Sequence, residues 1–117
     1  MIVCRKDAIS KERVEKWLAD WEILRAEIHT SHATRDGKAK EIMLKGIDLY
    51  EVFIINVSQT SVEVVQLREE YEVLPINGVE RLQFIKQRPG QYACYRQLDE
   101  LFIETKKRMA RLRLKKN

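Results

Sequence analysis

Glycine, proline and cysteine are all scarce in this sequence of 117 residues, which has four, two and two of them. The glycines stand at positions 37, 46, 78 and 90, and their spacing forms no phosphate-binding loop. Cys4 and Cys94 lie far apart in the sequence and do not make a disulfide framework. These shortages argue against a P-loop enzyme and a disulfide-stabilised secreted domain.

Long apolar runs are also missing. The best apolar run, VFIIN at 52–56, has only the length of a core segment. No stretch reaches the roughly 18 apolar residues of a transmembrane helix. The first ten residues lack the apolar centre of a signal peptide. The sequence therefore predicts a cytoplasmic protein that has no membrane partner.

The composition is that of a folded domain with a highly charged surface. Hydrophobic residues make up 44% of the chain and charged residues 34%, so a single domain over 1–117 has enough apolar side chains for a modest core. The net charge of +4 and the isoelectric point near 9.1 favour an anionic partner.

The clearest predicted helix covers 9–30. Its apolar residues recur at steps of three and four, which is the spacing of one helix face. They are Val14, Trp17, Leu18, Trp21, Leu24 and Ile28. Ser10 is suited to cap the helix, because its hydroxyl can accept from a free amide of the first turn. A polar linker is expected at 31–37.

The middle of the chain allows two interpretations. Apolar residues at 42–54 partly follow a helical period, but the β-branched end of that run also suits a strand. The stretch SVEVVQLREEYEVL at 61–74 favours a helix, with a hairpin at about 50–67 as the alternative. The predicted fold class is therefore mainly α, with a mixed α+β domain as the alternative.

The C-terminal part predicts a short helix from Asn77, a break at QRPG, and a last helix from about Gln91 to Leu114. The last helix has one apolar stripe, formed by Cys94, Leu98, Leu101, Thr105, Met109 and Leu112. Two helices joined by a tight break, the second starting with polar and aromatic residues, match a helix-turn-helix within 61–114. Such a unit predicts DNA binding.

A family resemblance points the same way. VVQLREEY at 64–71, INGVERLQFI at 76–85 and ACYRQLDELF at 93–102 resemble the last helix-turn-helix of sigma factors, and more closely the small sigma-like phage late-gene regulators of the RinA and ArpU type. The resemblance implies a transcriptional regulator of phage or prophage origin. The chain departs from that family at the turn, where Arg88, Pro89, Gly90 and Gln91 replace a stretch ending in a capping serine.

Two groups of residues are predicted to contact DNA. Base edges and nearby phosphates would be read by four side chains at the start of the last helix, Gln91, Tyr92, Tyr95 and Arg96. Phosphates would be bound by six cationic side chains, Lys86, Arg88, Lys106, Lys107, Arg111 and Arg113. The partner is expected to be duplex DNA, with a homodimer or the host transcription machinery as further partners. The basic C-terminal run would equally suit a solvated helix end.

Other functions have weaker patterns. His29 and His32 lack the further ligands of a metal site, and the acids Glu69, Glu70 and Glu72 suit a solvated surface. We therefore expect no enzyme activity, no cofactor, no metal and no small-molecule substrate. The alternative function is a protein-interaction module, in which Trp17 and Trp21 bind a phage or host factor. Core packing is the simpler role for both tryptophans.

Overall fold

Four helices form the framework of the chain, whose residues 1–115 are described in this computed structural model. They are α1 (Lys11–Thr34), α2 (Ala39–Asn56), α3 (Gly78–Gln87) and α4 (Tyr92–Leu114), preceded by a 3₁₀ turn at Lys6–Ala8. The described residues pair in isolated β-bridges and form no strand. The predicted mainly α fold class is confirmed, and the α+β alternative is wrong.

Helix α1 begins where the sequence predicted and ends later. Ser10 is the N-cap, and its hydroxyl accepts a hydrogen bond from the backbone N–H of Arg13 at 3.2 Å. The helix continues through Thr34, so only a short turn at 35–38 remains of the predicted linker at 31–37. Arg35 ends the helix in the left-handed conformation, with φ of 55°.

Helix α2 includes the run that also suited a strand. It packs along α1, and Gly46 lies against the ring of Trp21. A Cβ at position 46 would be 2.7 Å from Trp21 Cζ3, so the glycine permits this close helix pairing. Ile47, Ile54 and Ile55 are buried on the inner face of α2. Tertiary burial therefore decides in favour of helix over β-propensity.

Residues 57–77 contain neither the predicted helix nor the alternative hairpin. Buried Glu51 accepts the backbone N–H of Val65 at 2.9 Å, and buried Glu72 accepts that of Cys4 at 2.9 Å. The backbone of Ile2 also exchanges hydrogen bonds with Glu70 and Glu72. These contacts join positions distant in sequence, so a local pattern does not reveal them. Glu72 thus lies inside the fold, not on the predicted solvated surface.

The core is centred on aromatic rings from three helices. Trp21 of α1 stacks on Phe102 of α4 with ring centroids 4.4 Å apart, and Trp17 stacks on Phe53 of α2 at 4.5 Å. Trp17 and Trp21 are 3% and 1% exposed. Both rings are therefore used in packing, and direct binding of a partner by the two tryptophans stays a prediction. None of the described helices has the length and apolar character needed to cross a membrane.

Candidate nucleic-acid interface

Helices α3 and α4 are joined by a four-residue turn at 88–91. Backbone hydrogen bonds close this turn, from Arg88 N to the Ile85 carbonyl and from Gln91 N to the Arg88 carbonyl. On α4, Cys94, Leu98 and Leu101 are fully buried, as the apolar stripe predicted. The pair thus has the helix–tight turn–helix arrangement, while the segment before α3 is irregular.

The four predicted base-reading residues fall into two groups. Gln91 and Arg96 are exposed, and Tyr92 is 49% exposed. The Gln91 side chain makes no capping hydrogen bond to α4 and is available to a ligand. Tyr95, however, is 5% exposed and lies 5.9 Å from the ring of His32 in α1. Helix α1 covers this side of α4, so Tyr95 contributes no exposed surface to the interface, and its contact with DNA stays a prediction.

The Arg96 guanidinium is exposed, and the nearby carboxylate of Asp99 is bound to residues of α1. A hydrogen bond with the Tyr92 hydroxyl helps raise the pKa of Arg96. Asp99, one turn along, accepts the indole N–H of Trp21 at 3.0 Å. Arg25 Nε lies 3.2 Å from the same Asp99 oxygen, as an ion pair without hydrogen-bond alignment. Asp99 is thus turned towards α1, and Arg96 keeps its charge for a partner.

The six predicted phosphate-binding cations also fall into two groups, exposed cations and cations that bind other groups of the fold. Arg88, Lys106, Lys107 and Arg111 are exposed, and none forms an ion pair with another described side chain. Lys86 instead binds buried Glu51 at 2.7 Å, and Arg113 donates to the Ile9 carbonyl at 2.8 Å. Lys86 and Arg113 are thus engaged within the fold, and their contact with phosphates stays a prediction.

The exposed side of α4 carries its cations in one line. Arg96, Lys107 and Arg111 lie on the same face, since their separations of 11 and 4 residues are close to whole numbers of turns. At 1.5 Å per residue this line is about 22 Å long. Glu100 and Ile103 lie on the same face between the first two cations. Lys106 is also exposed and lies about 100° around the helix from Lys107. We call these four residues, Arg96, Lys106, Lys107 and Arg111, the α4 basic face.

A second group of cations lies beside the start of α4, and none of its members was among the predicted DNA-binding residues. Arg35, Lys38 and Lys40 belong to the α1–α2 turn and the first turn of α2, and all three are exposed. A Cβ at Gly90 would lie 3.3 Å from Lys40 Cβ, so the two turns touch. The run RDGKAK was the available signal, but its position beside RPG depends on the tertiary fold.

The two cysteines, Cys4 and Cys94, lie in the interior of the fold. Burial raises the pKa of the Cys4 thiol to about 11, with a further contribution from Glu72, and burial also raises the pKa of Cys94. Both thiols are free, buried and protonated at neutral pH. Within residues 1–115 no three metal-binding side chains cluster.

An open apolar groove of about 730 Å³ runs between α1 and α2. Trp17 contributes to its floor, while Ile23 and Val52 line it with 63% and 45% of their surfaces exposed. Charged side chains surround it, namely Arg13, Lys16, Asp20, Lys45 and Asp48. Exposed aliphatic side chains around a large groove are typical of a protein-binding surface.

Comparisons with known proteins give a family without an assigned activity. The sequence model of the family described as "YpoC-like protein" matches residues 11–117. A curated relative, the "Uncharacterized protein YpoC" of Bacillus subtilis (strain 168), is 37% identical over 95 residues. That alignment covers 74% of this chain and 56% of the relative, so the chain spans about half the length of the relative. No solved structure matches.

Proposed function

The chain belongs to the YpoC-like family, and we propose that it is a non-enzymatic, cytoplasmic protein that binds duplex DNA through α4. The observation that carries the proposal is the α4 basic face. Its four cations are exposed and form no ion pair with another described side chain. Unpaired cations along one helix are suited to an array of phosphates, because each contact releases condensed counterions from the duplex.

The dimensions of α4 suit a helix that lies in the major groove. Gln91 and Arg96 at its start would meet base edges, where Gln pairs with adenine and Arg with guanine. Lys107 is about 16 Å further along the helix, which exceeds the groove width of about 12 Å. Lys107 and Arg111 would therefore contact the phosphates that border the groove. Arg88 in the preceding turn and the Tyr92 hydroxyl would add contacts near the start.

A role in transcription control is the second part of the proposal. It is supported by the α3–turn–α4 unit and by the resemblance of ACYRQLDELF to the recognition helix of sigma-like regulators. The packed side of α4 and the exposed start of that helix agree with this use. Because residues 57–77 replace the helix expected before α3, the DNA-binding unit consists of two helices braced by α1 and α2.

Fluorescence anisotropy with a labelled duplex from upstream of the gene, compared with a scrambled duplex, tests the proposal. Arg96→Ala should weaken binding to the preferred duplex by about 1–3 kcal/mol and relax sequence preference. Lys107→Gln should weaken binding to both duplexes and reduce the slope of log affinity against log salt by about 0.9.

Lys45→Gln is the matched control, since it removes the same charge from an exposed position on α2. It should leave the salt slope unchanged. If the unmodified chain binds neither duplex at low salt, or if Lys45→Gln weakens binding as much as Lys107→Gln, the α4 interface is ruled out.

A second candidate function is protein binding in the α1–α2 groove, favoured by the exposure of Ile23 and Val52. This version places the partner on the outer sides of α1 and α2, because Trp17 and Trp21 are buried. A double substitution, Ile23→Glu with Val52→Glu, should abolish such binding or dissociate a homodimer seen by light scattering. The same variant should keep the DNA affinity of the unmodified chain, which separates the two functions.

A further inference from the structure

A small pocket of about 310 Å³ lies between the α1–α2 turn and the α3–α4 turn. Its lining includes Arg35, Gly37, Lys40 and His32, with Gly90 from the opposite turn. We propose that this pocket binds a single phosphate group. The proposal concerns a different set of residues from the α4 basic face, and it does not depend on DNA binding.

Two cationic side chains at the pocket carry the inference. Arg35 and Lys40 are both exposed, and neither forms an ion pair with another described side chain. They flank Gly37 in the sequence and line the same pocket. Gly37 takes φ of 80° and has open space where a side chain would be. An anion can therefore approach the turn backbone while an arginine and a lysine reach it. Arginine supplies two parallel donors to a phosphate, and lysine supplies a point charge.

The one carboxylate in this turn is already engaged. Asp36 accepts hydrogen bonds from the Ser31 hydroxyl and from the backbone N–H of Lys38, and these bonds lower the pKa of Asp36. Its charge stays within the turn and fixes the turn's shape. Three cations, Arg35, Lys38 and Lys40, surround this single acid, so the local field favours an anion.

His32 provides an independent indication of a ligand. Its Nε2 atom is buried and has no hydrogen-bond partner among the described residues, although the ring lines the pocket. Tyr92 and Tyr95 hold the ring, with centroids 5.3 Å and 5.9 Å away. Because Nε2 is covered in this structure, the ring would turn towards the pocket so that a phosphate oxygen supplies the missing partner. Buried polar atoms without partners are uncommon in folded proteins.

The start of α2 reinforces the same wall of the pocket. Ala39 and Lys40 line the pocket and belong to the first turn of α2, whose backbone N–H groups have no acceptor within the helix. These N–H groups and the positive end of the helix dipole favour an anion. The helix end adds to the two side-chain cations and the histidine, and it is not the basis of the proposal.

The test is an NMR titration of the full chain, in which backbone amide shifts are followed as inorganic phosphate is added. Sodium chloride at matched ionic strength is the reference. We expect phosphate-specific shifts at His32, Arg35, Gly37, Lys40 and Gly90. Shifts that chloride reproduces, or shifts spread evenly over the surface, would show that the pocket does not bind phosphate.

Two variants locate the binding. Arg35→Gly removes the cation and places glycine at a left-handed position that glycine readily adopts, and Lys40→Gln removes a charge from an exposed helical residue. Together they should weaken phosphate binding at least tenfold, and Lys40→Gln alone severalfold if the double variant is poorly folded. Unchanged affinity in a folded variant would overturn the site. Arg68→Gln, at an exposed position outside both the pocket and the α4 basic face, is the control and should leave phosphate affinity within twofold.

Two probes distinguish the source of the phosphate group. Dimethyl phosphate represents the diester of a nucleic-acid backbone, and methyl phosphate represents a monoester. Binding of both would assign the pocket to a backbone phosphate beside the start of α4. Binding of methyl phosphate alone would assign it to a phosphorylated small molecule. If the chain binds these probes but not DNA, the proposal of DNA binding through α4 is wrong and the proposal of a phosphate-binding pocket is supported.

Discussion

Gly46 shows how much a single missing side chain matters. Trp21, the nearest neighbour of position 46, cannot move aside easily, because its ring stacks on Phe102 and its N–H binds Asp99. For Gly46→Ala the overpacking cost of about 1–3 kcal/mol should exceed the helix-propensity gain of up to about 1 kcal/mol. We expect a lower free energy of unfolding in urea. Lys45→Ala, at the adjacent exposed position, is the control and should change the free energy of unfolding by less than about 0.5 kcal/mol. A Gly46→Ala variant more stable than the unmodified chain would contradict the close approach of α1 and α2.

At the scale of elements, the Arg81–Glu104 pair joins α3 to α4. Arg81 Nη1 donates to Glu104 Oε1 at 3.1 Å and Nη2 donates to Oε2, which lowers the pKa of Glu104 below its ordinary value of 4.5. Just below pH 4.5 the folded state therefore binds fewer protons than the unfolded chain. The pair's contribution to the free energy of unfolding is complete above pH 4.5 and is lost as the pH falls through the folded-state pKa of Glu104. Because both groups are partly exposed, the contribution should be at most about 1 kcal/mol.

Substitution Glu104→Gln tests this linkage between pH and stability. The difference in unfolding free energy between the unmodified chain and Glu104→Gln should be largest near neutral pH and should shrink as the pH is lowered to about 3. Glu27→Gln, at an exposed position on α1 without an ion pair among the described residues, should show no such change. A difference that stays constant with pH would mean that Glu104 acts by packing alone.

The elements also show what the sequence could predict. Helices α1 and α4 were foreseen because their apolar residues repeat over about four and about five turns. Ser10 caps α1 as its chemistry suggests. The segment 57–77 was not foreseen, since Val65 and Tyr71 are buried by partners far away in the sequence. The sequence predicted some features of the candidate interface and not others. Exposure of Gln91 and Arg96 follows from the stripe on α4, but burial of Tyr95 depends on the position of α1.

At the scale of the whole molecule, the first nine residues close the core at the far end of α4. Ile9 is fully buried, and its carbonyl accepts from Arg113. Ile9→Ala should lower the unfolding free energy by about 2–5 kcal/mol, although this position lies before the part of the chain that matches the family. Val3→Ala, at a position that is 44% exposed, should have a much smaller effect in the same denaturation experiment. Equal effects would mean that residues 1–9 only cover the surface.

Trp17 and Trp21 lie in different surroundings, so their fluorescence can report on two different events. Trp21 is enclosed by α2 and α4, whereas Trp17 contributes to the floor of the open α1–α2 groove. Unfolding should shift the emission of both to longer wavelength, because both rings leave an apolar environment. An occupant of the groove should change the emission of Trp17 alone, which a Trp21→Phe variant would isolate. Folding and groove occupancy can thus be followed separately by intrinsic fluorescence, without attaching a dye.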